Sequence, residues 1–187
     1  EAVEAYYFST SAGVTSTDEI WGSDEAAPYL RSVPCKFDEE EPWSSWIVEL
    51  PWKMLEDRIR EKGEGTVLRS VTVTRRSESG AATALEAVSD KDSCIIENEY
   101  EIRKFLAPVN CMITEKDGTE TAGGSLLPSA YFELERTQNG NLQVRGKGYG
   151  HGVGMSQTGA DKMAEQGYDY REILDYFFRN ITVENLG

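Results

Sequence analysis

The chain has 187 residues, 39% of them hydrophobic and 28% charged, the make-up of an ordinary globular protein with room for one good core or two small ones. Lysine and arginine number 19 against 33 aspartates and glutamates, a net charge of −14. That balance excludes a broad grip on nucleic-acid phosphates or on an anionic membrane surface, and tolerates a neutral or weakly charged polymer such as a glycan.

No apolar run is long enough to cross a bilayer as a helix, and no charged-then-apolar signal segment opens the chain. Val3, Ala5 and Tyr7 read as a strand already in mid-course, so the expectation is that an N-terminal portion is missing. The strand runs to about Thr10, followed by a loop over Ser11 to Asp18 and a helical turn at Asp18 to Trp21. Pro28-Tyr29-Leu30 leads into an extended piece ending near Pro34. The acidic run Asp38-Glu39-Glu40-Glu41 reads as a solvated loop. Pro51 suits a first helical position, Trp52, Leu55 and Ile59 recur at helical spacing, and Gly63 supplies a stop, which predicts a helix over about 51–62. The stretch 36–65 reads as a helical subdomain or insertion.

Val67, Arg69, Val71 and Val73 alternate with Leu68, Ser70, Thr72 and Thr74 as in a half-buried strand. Ser77 to Gly80 turns the chain, and Ala82 to Val88 returns as its partner. Ser93 to Glu97 is a short strand, and Glu99 to Phe105 one or two helical turns. Asp117-Gly118 and Asn139-Gly140 are hairpin signals, the second between Tyr131–Leu134 and Leu142–Val144. Met155 to Gln166 reads as a helix with Met155, Gly159, Ala160, Met163 and Ala164 on one face. Asp169 and Glu172 have capping-box spacing before a last helix that buries Ile173, Leu174, Phe177 and Phe178. Ile181 to Val183 reads as a final strand. With no regular βαβ alternation the fold class is α+β: antiparallel hairpins and small sheets with several short packed helices.

Glycine occupies every second position from Gly146 to Gly154. In an extended ladder one face would be bare backbone and the other would carry Lys147, Tyr149, His151 and Val153. Strands avoid glycine, so the run marks a place where something comes close to the backbone, either a ligand or another part of the same chain. His151, the only histidine, lies within it. No familiar zinc spacing joins it to Cys35, Cys94 and Cys111, and no Gly-x-Ser-x-Gly elbow supports a serine triad. Three cysteines leave at least one free; a Cys94–Cys111 disulfide is one option, and three buried thiols is the favoured one. Ser156 and Gln157 open a helix, where Ser156 serves either as N-cap or as a ligand contact. Tyr6, Tyr7, Trp21, Tyr29, Trp43 and Tyr149 are available for stacking on sugar rings, although packing in a core is the commoner fate of aromatics.

Gly148-Tyr149-Gly150-His151-Gly152-Val153-Gly154-Met155-Ser156-Gln157-Thr158-Gly159-Ala160, followed by Met163-Ala164 and Gly167-Tyr168, strongly resembles the signature of SpoIID/LytB-type proteins. Tyr170 to Phe178 matches that family's closing segment. Ala5 to Thr15, with Trp21-Gly22 and Pro28-Tyr29-Leu30, looks like its other hallmark block. Ser77 to Gly80 and Arg103 fall where the family has a serine-glycine turn and an arginine. The resemblance covers essentially all of 1–187, as one SpoIID-like domain, its C-terminal part.

The resemblance implies sporulation-associated lytic transglycosylase activity. Peptidoglycan glycan strands would be cut between MurNAc and GlcNAc with a 1,6-anhydro product, during engulfment, beside an amidase that strips the stem peptides. It implies an extracytoplasmic location, with a membrane link only through an N-terminal anchor missing here, and no nucleic-acid partner. An amidase-enhancing or wall-binding module without catalysis is the alternative, since the family includes amidase enhancers. In the family the catalytic glutamate lies upstream of the opening block; Glu1 and Glu4 do not sit in that context, so no catalytic residue is assigned in this chain. Some members have zinc ligands near Phe8 and Ser11; Phe8, Ser11 and Ala12 cannot serve, so neither metal nor cofactor is expected. By matching positions, Tyr149, His151, Ser156 and Gln157 would line or support a glycan groove, joined by Tyr7, Ser9 and Ser11.

Overall fold

The computed structural model describes residues 2–184, so Glu1, at the head of the opening block, lies outside them. The fold is α+β, as expected: among the described residues it has three small sheets, four α-helices and two short 3-10 turns. The largest is an antiparallel sheet in the order β7 (Glu120–Ala122), β6 (Met112–Glu115), β2 (Trp46–Leu50), β9 (Leu142–Gly146) and β8 (Phe132–Arg136). Three strands, β3 (Leu68–Arg76), β4 (Ala82–Ser89) and β5 (Ser93–Glu97), make a second antiparallel sheet. The third is a parallel pair, β1 (Tyr7–Phe8) with β10 (Met155–Ser156).

Turn chemistry places the hairpins. Gly80, Gly118 and Gly140 all take φ between 82° and 95°, which a side chain would resist, at the tips of β3–β4, β6–β7 and β8–β9. The helices α1 (Trp52–Glu61) and α2 (Glu99–Phe105) pack Leu55, Ile59 and Ile102 into a core shared with Trp46, Val48, Leu50, Leu85 and Val144. A second core gathers Ile20, Leu30, Val33, Tyr131, Val153, Met163 and Phe177 beneath the opening block, α3 (Gln157–Glu165) and α4 (Tyr170–Phe177). The capping box at Asp169 and Glu172 forms as read.

The stretch 36–65 holds strand β2 as well as helix α1: Trp46, Val48 and Leu50 point inward from the middle strand of the largest sheet while Ile47 and Glu49 face out. Three expectations need correction. The opening strand shrinks to Tyr7–Phe8, since only there does β10 supply a partner. Helix α3 starts at Gln157, because Met155 and Ser156 pair with Tyr7 and Phe8. Ile181 to Val183 form no strand: after α4 the Arg179 amide bonds the Tyr29 carbonyl at 3.0 Å and Asn180 turns the chain with φ 57°.

Candidate functional site

The glycine run is a ribbon, not a ladder. Gly148, Gly150, Gly152 and Gly154 all have positive φ, from 75° to 115°, so the extended alternation ends with β9 at Gly146. The close approach comes from the chain itself. A Cβ on Gly148 would lie 2.8 Å from the Thr10 carbonyl oxygen, one on Gly150 2.7 Å from the Phe8 Cβ, and one on Gly152 2.7 Å from the Tyr131 hydroxyl. On Gly154 it would overlap the Tyr6 carbonyl. Backbone bonds fasten the same contact: Thr10 and Tyr149 exchange a pair at 3.1 and 2.8 Å, Met155 N donates to Tyr6 O at 3.0 Å, and Ser16 N to Gly152 O at 2.7 Å. Below the ribbon the buried Trp46 indole donates to the Gly148 carbonyl at 2.9 Å, tying it to the main core.

Asp38 holds this crossing from the other side. Expected in a solvated acidic loop, its side chain is 1% exposed, and its carboxylate accepts from Ser11 N at 2.8 Å, Ser11 Oγ at 2.7 Å and Ser156 Oγ at 2.7 Å. The Cys35 thiol donates to it more weakly, at 3.6 Å, and burial with the Asp38 charge pushes that thiol up to about 12, so it stays an inert thiol. All three cysteines are free, which removes the disulfide option; only Cys35 is buried, with Cys94 and Cys111 half-buried. No local spacing marks Asp38 among its acidic neighbours. The signal available is that both hallmark blocks contribute a serine, Ser11 and Ser156, in need of one acceptor.

His151 stands edge-on to Phe8 and Trp21, with ring centroids 5.8 and 5.1 Å away. Its Nδ1 accepts from Val153 N at 3.1 Å, which assigns the proton to Nε2. Burial pulls its pKa below the ordinary 6.5; the Glu99 charge and the Tyr7 backbone oppose this and Arg103 reinforces it, so the ring is neutral at pH 7. Glu99 and Arg103 form a buried pair at 3.1 Å, with Trp21 Nε1 on the carboxylate at 3.3 Å and Arg103 Nε on the Leu127 carbonyl at 2.9 Å. A histidine depressed in this way is protonated first in the unfolded chain. Its contribution is therefore neutral above about 6.5, and stability falls as pH drops from there toward the lower folded value. Between pH 7.5 and 5.5 the wild type is expected to lose more stability in urea titrations than His151→Gln; matching slopes would remove His151 as the cause.

A cleft of about 390 Å³ opens where Arg103 meets the ribbon, and its lining includes Trp43, Tyr149, Arg103, Thr121, Ser125 and Leu126. Trp43 and Tyr149 meet edge to face at 4.7 Å between centroids, and Tyr149 is 43% exposed. His151 is not part of this lining; the chain links the two through Gly150, whose N–H bonds the Pro128 carbonyl at 2.8 Å. Tyr7, Trp21 and Tyr149 are thus exposed aromatics instead of core ones, while Tyr6, Tyr29 and Trp43 are partly buried. Tyr7, Ser9, Ser11, Tyr149, His151, Ser156 and Gln157 all come to one crossing of the two blocks, but in different roles. Tyr7, Tyr149 and Gln157 face out. The Ser9 carbonyl accepts from Thr158 N and Ser156 Oγ. Ser11 and Ser156 are spent on Asp38, and Ser156 also caps α3 by accepting from Gly159 N at 3.1 Å. Among the described residues no group of three metal-ligating side chains comes together.

Comparison with known proteins follows the same residues. Stage II sporulation protein D of Bacillus amyloliquefaciens is 30% identical over 181 residues, 97% of this chain and 45% of that protein. The protein of that name from Bacillus subtilis (strain 168) is 28% identical over 184 residues, 98% of this chain and 46% of its own. An amidase enhancer of the same bacterium is 21% identical over 214 residues, covering 97% of this chain and 30% of that protein. The chain therefore spans less than half the length of these relatives. With its opening block laid against a glycine-histidine ribbon, it is a SpoIID-like α+β chain. It belongs to the family described as Domain of unknown function (DUF8618), whose model matches residues 34–154.

Proposed function

We propose that this chain works on the bacterial cell wall in sporulation, holding peptidoglycan glycan strands for lytic transglycosylation between MurNAc and GlcNAc with a 1,6-anhydro product. The observation that supports this reading best is the Trp43–Tyr149 cleft, lined also by Arg103, on a ribbon that the opening block pins and that carries His151 two residues after Tyr149. A pyranose ring stacks on an aromatic face, and its hydroxyls find donors and acceptors in Thr121 and Ser125. Such chemistry needs a single acid. It protonates the glycosidic oxygen and then takes the proton of the sugar's own C6 hydroxyl, so the second carboxylate of hydrolysis is dispensable. Asp38 and Glu99, the buried carboxylates at the ribbon, are saturated by Ser11 and Ser156 and by Arg103 and Trp21. This chain's residues are accordingly assigned binding and positioning, and the proton donor is assigned outside them. The polymer concerned puts the chain outside the cytoplasmic membrane.

Tyr149→Ala is expected to weaken binding to purified sacculi about tenfold, the upper worth of one aromatic contact. In the complete protein, His151→Ala or Gln157→Ala should cut glycan cleavage; cleavage at the wild-type rate by a normally folded variant would overturn the assignment. Similarity to an amidase enhancer favours a second reading, in which the chain stimulates a cell-wall amidase without cutting glycan itself. Faster release of stem peptides by an added amidase, with no anhydro-sugar ends formed by the complete protein, would select that reading.

A further inference from the structure

Along the ribbon lies a second hollow, of about 290 Å³, with an unusual charge for this protein. Three cations, Arg76, Arg145 and Lys147, line it against one carboxylate, Glu133, in a chain of net charge −14. The larger hollow beside the opening block is lined the other way, by Glu19, Glu25 and Glu78 against Arg31. Hydroxyls complete the cationic hollow: Ser79 and Tyr131 line it, and Ser16 Oγ lies 2.5 Å from each of their hydroxyl oxygens.

Two of its cations are held ready, while Arg145 leans on Glu135 at 3.4 Å in an exposed pair that water screens. The Arg76 guanidinium is fixed by the Gly80 and Phe132 carbonyls at 3.1 and 2.8 Å, and its Glu133 partner is 82% exposed, a pair that water screens. Lys147 has no carboxylate within 4.0 Å among the described residues. Its backbone cannot drift, because Lys147 N donates to Tyr131 O at 2.9 Å and its carbonyl accepts from Ser129 Oγ at 2.6 Å. Gly146 and Gly148 on either side are packed against the Trp46 ring and the Thr10 to Ala12 backbone. Lys147 also lines the adjoining hollow, where Glu39 and Glu40 stand with Lys116 and Glu40 pairs with Lys116 at 2.9 Å, so the Lys147 ammonium stands where the two hollows meet.

We propose that the Arg76–Arg145–Lys147 hollow is an oxyanion subsite, taking a carboxylate or phosphate carried by the wall polymer. It rests on the wall reading above for that polymer, and on the hollow alone for the anion. Charge-assisted bonds from a guanidinium and an ammonium, with neutral hydroxyls alongside, fit either group. Inorganic phosphate and N-acetylmuramic acid, each titrated into the isotope-labelled chain, are expected to shift the amides of Ser79 and of Gly146 to Gly148. N-acetylglucosamine, which lacks the lactyl carboxylate, should shift none of them. Lys147→Gln should weaken whichever anion binds by about fivefold or more, while Lys53→Gln, an equal charge change on α1, stays within about twofold. The tighter anion identifies the source, phosphate-bearing polymer or glycan carboxylate. No shift at the hollow with either anion, or shifts that survive Lys147→Gln unchanged, overturns the subsite. Anion binding at the hollow without sacculus binding retains the subsite and sinks the wall reading instead.

Discussion

Asp38→Ala is expected to cost about 3–5 kcal/mol in urea unfolding at pH 7, with an unchanged m-value. The carboxylate is 1% exposed and takes Ser11 N, Ser11 Oγ and Ser156 Oγ at 2.7–2.8 Å. A hydrogen bond to a charged acceptor is worth about 1.5–3 kcal/mol, so three independent losses would sum to more than the expected figure. Two of them are relieved. Ser11 Oγ already sits 3.2 Å from the Cys35 carbonyl and Ser156 Oγ 3.2 Å from the Ser9 carbonyl, so each hydroxyl has a second acceptor. Ser11 N–H has none and stays buried and unpaired. Asp38→Asn should be milder, about 1–2 kcal/mol, because its one oxygen can serve Ser11 N and Ser156 Oγ while Ser11 Oγ turns to accept from the amide. An alanine variant within 1 kcal/mol of wild type, or an asparagine variant as damaged as alanine, would mean that the carboxylate does not hold the two blocks together.

What the sequence made legible divides along the range of the interaction involved. The β8–β9 hairpin, the capping box at Asp169 and the turn at Gly80 depend on residues a few positions apart, and each forms as read. Strand β2 is legible in the same way, since Trp46, Val48 and Leu50 alternate with Ile47 and Glu49 just ahead of the helix that Trp52, Leu55 and Ile59 mark. The ribbon was ambiguous in principle. Glycine at every second position suits both an extended ladder and alternate left-handed residues, because glycine alone carries no penalty for either. Asp38 was illegible for a different reason: a run of four acids looks alike whether one of them turns inward, and its partners lie 27 and 118 residues away. The site residues came from a resemblance, and the structure then sorted them, burying Ser11 and Ser156 while Tyr149 and Gln157 stay at the surface.

That sorting makes the ribbon's glycines the second test. Gly154→Ala should cost more than about 3 kcal/mol, through two separable effects. At φ 80° an alanine carries roughly 1–2 kcal/mol of left-handed strain. Gly118→Ala, at φ 86° with nothing within 4 Å of its added methyl, should show that part alone. The remainder at Gly154 is steric, since its Cβ would overlap the Tyr6 carbonyl, and that carbonyl is not free to swing aside: it accepts from Met155 N at 3.0 Å. The next residues are the parallel pairs Tyr7 with Met155 and Phe8 with Ser156, so relief requires β1 to detach from β10 and the buried Phe8 to move with it. Gly150→Ala should fall between, because its methyl meets the Phe8 Cβ at 2.7 Å, a smaller overlap than at Gly154 but with an atom that moves only with the Phe8 backbone. Chemical denaturation of the three variants gives the order directly. If Gly154→Ala costs no more than Gly118→Ala, the run needs glycine for its dihedral angles only, and the close approach of the opening block is not what the alternation serves.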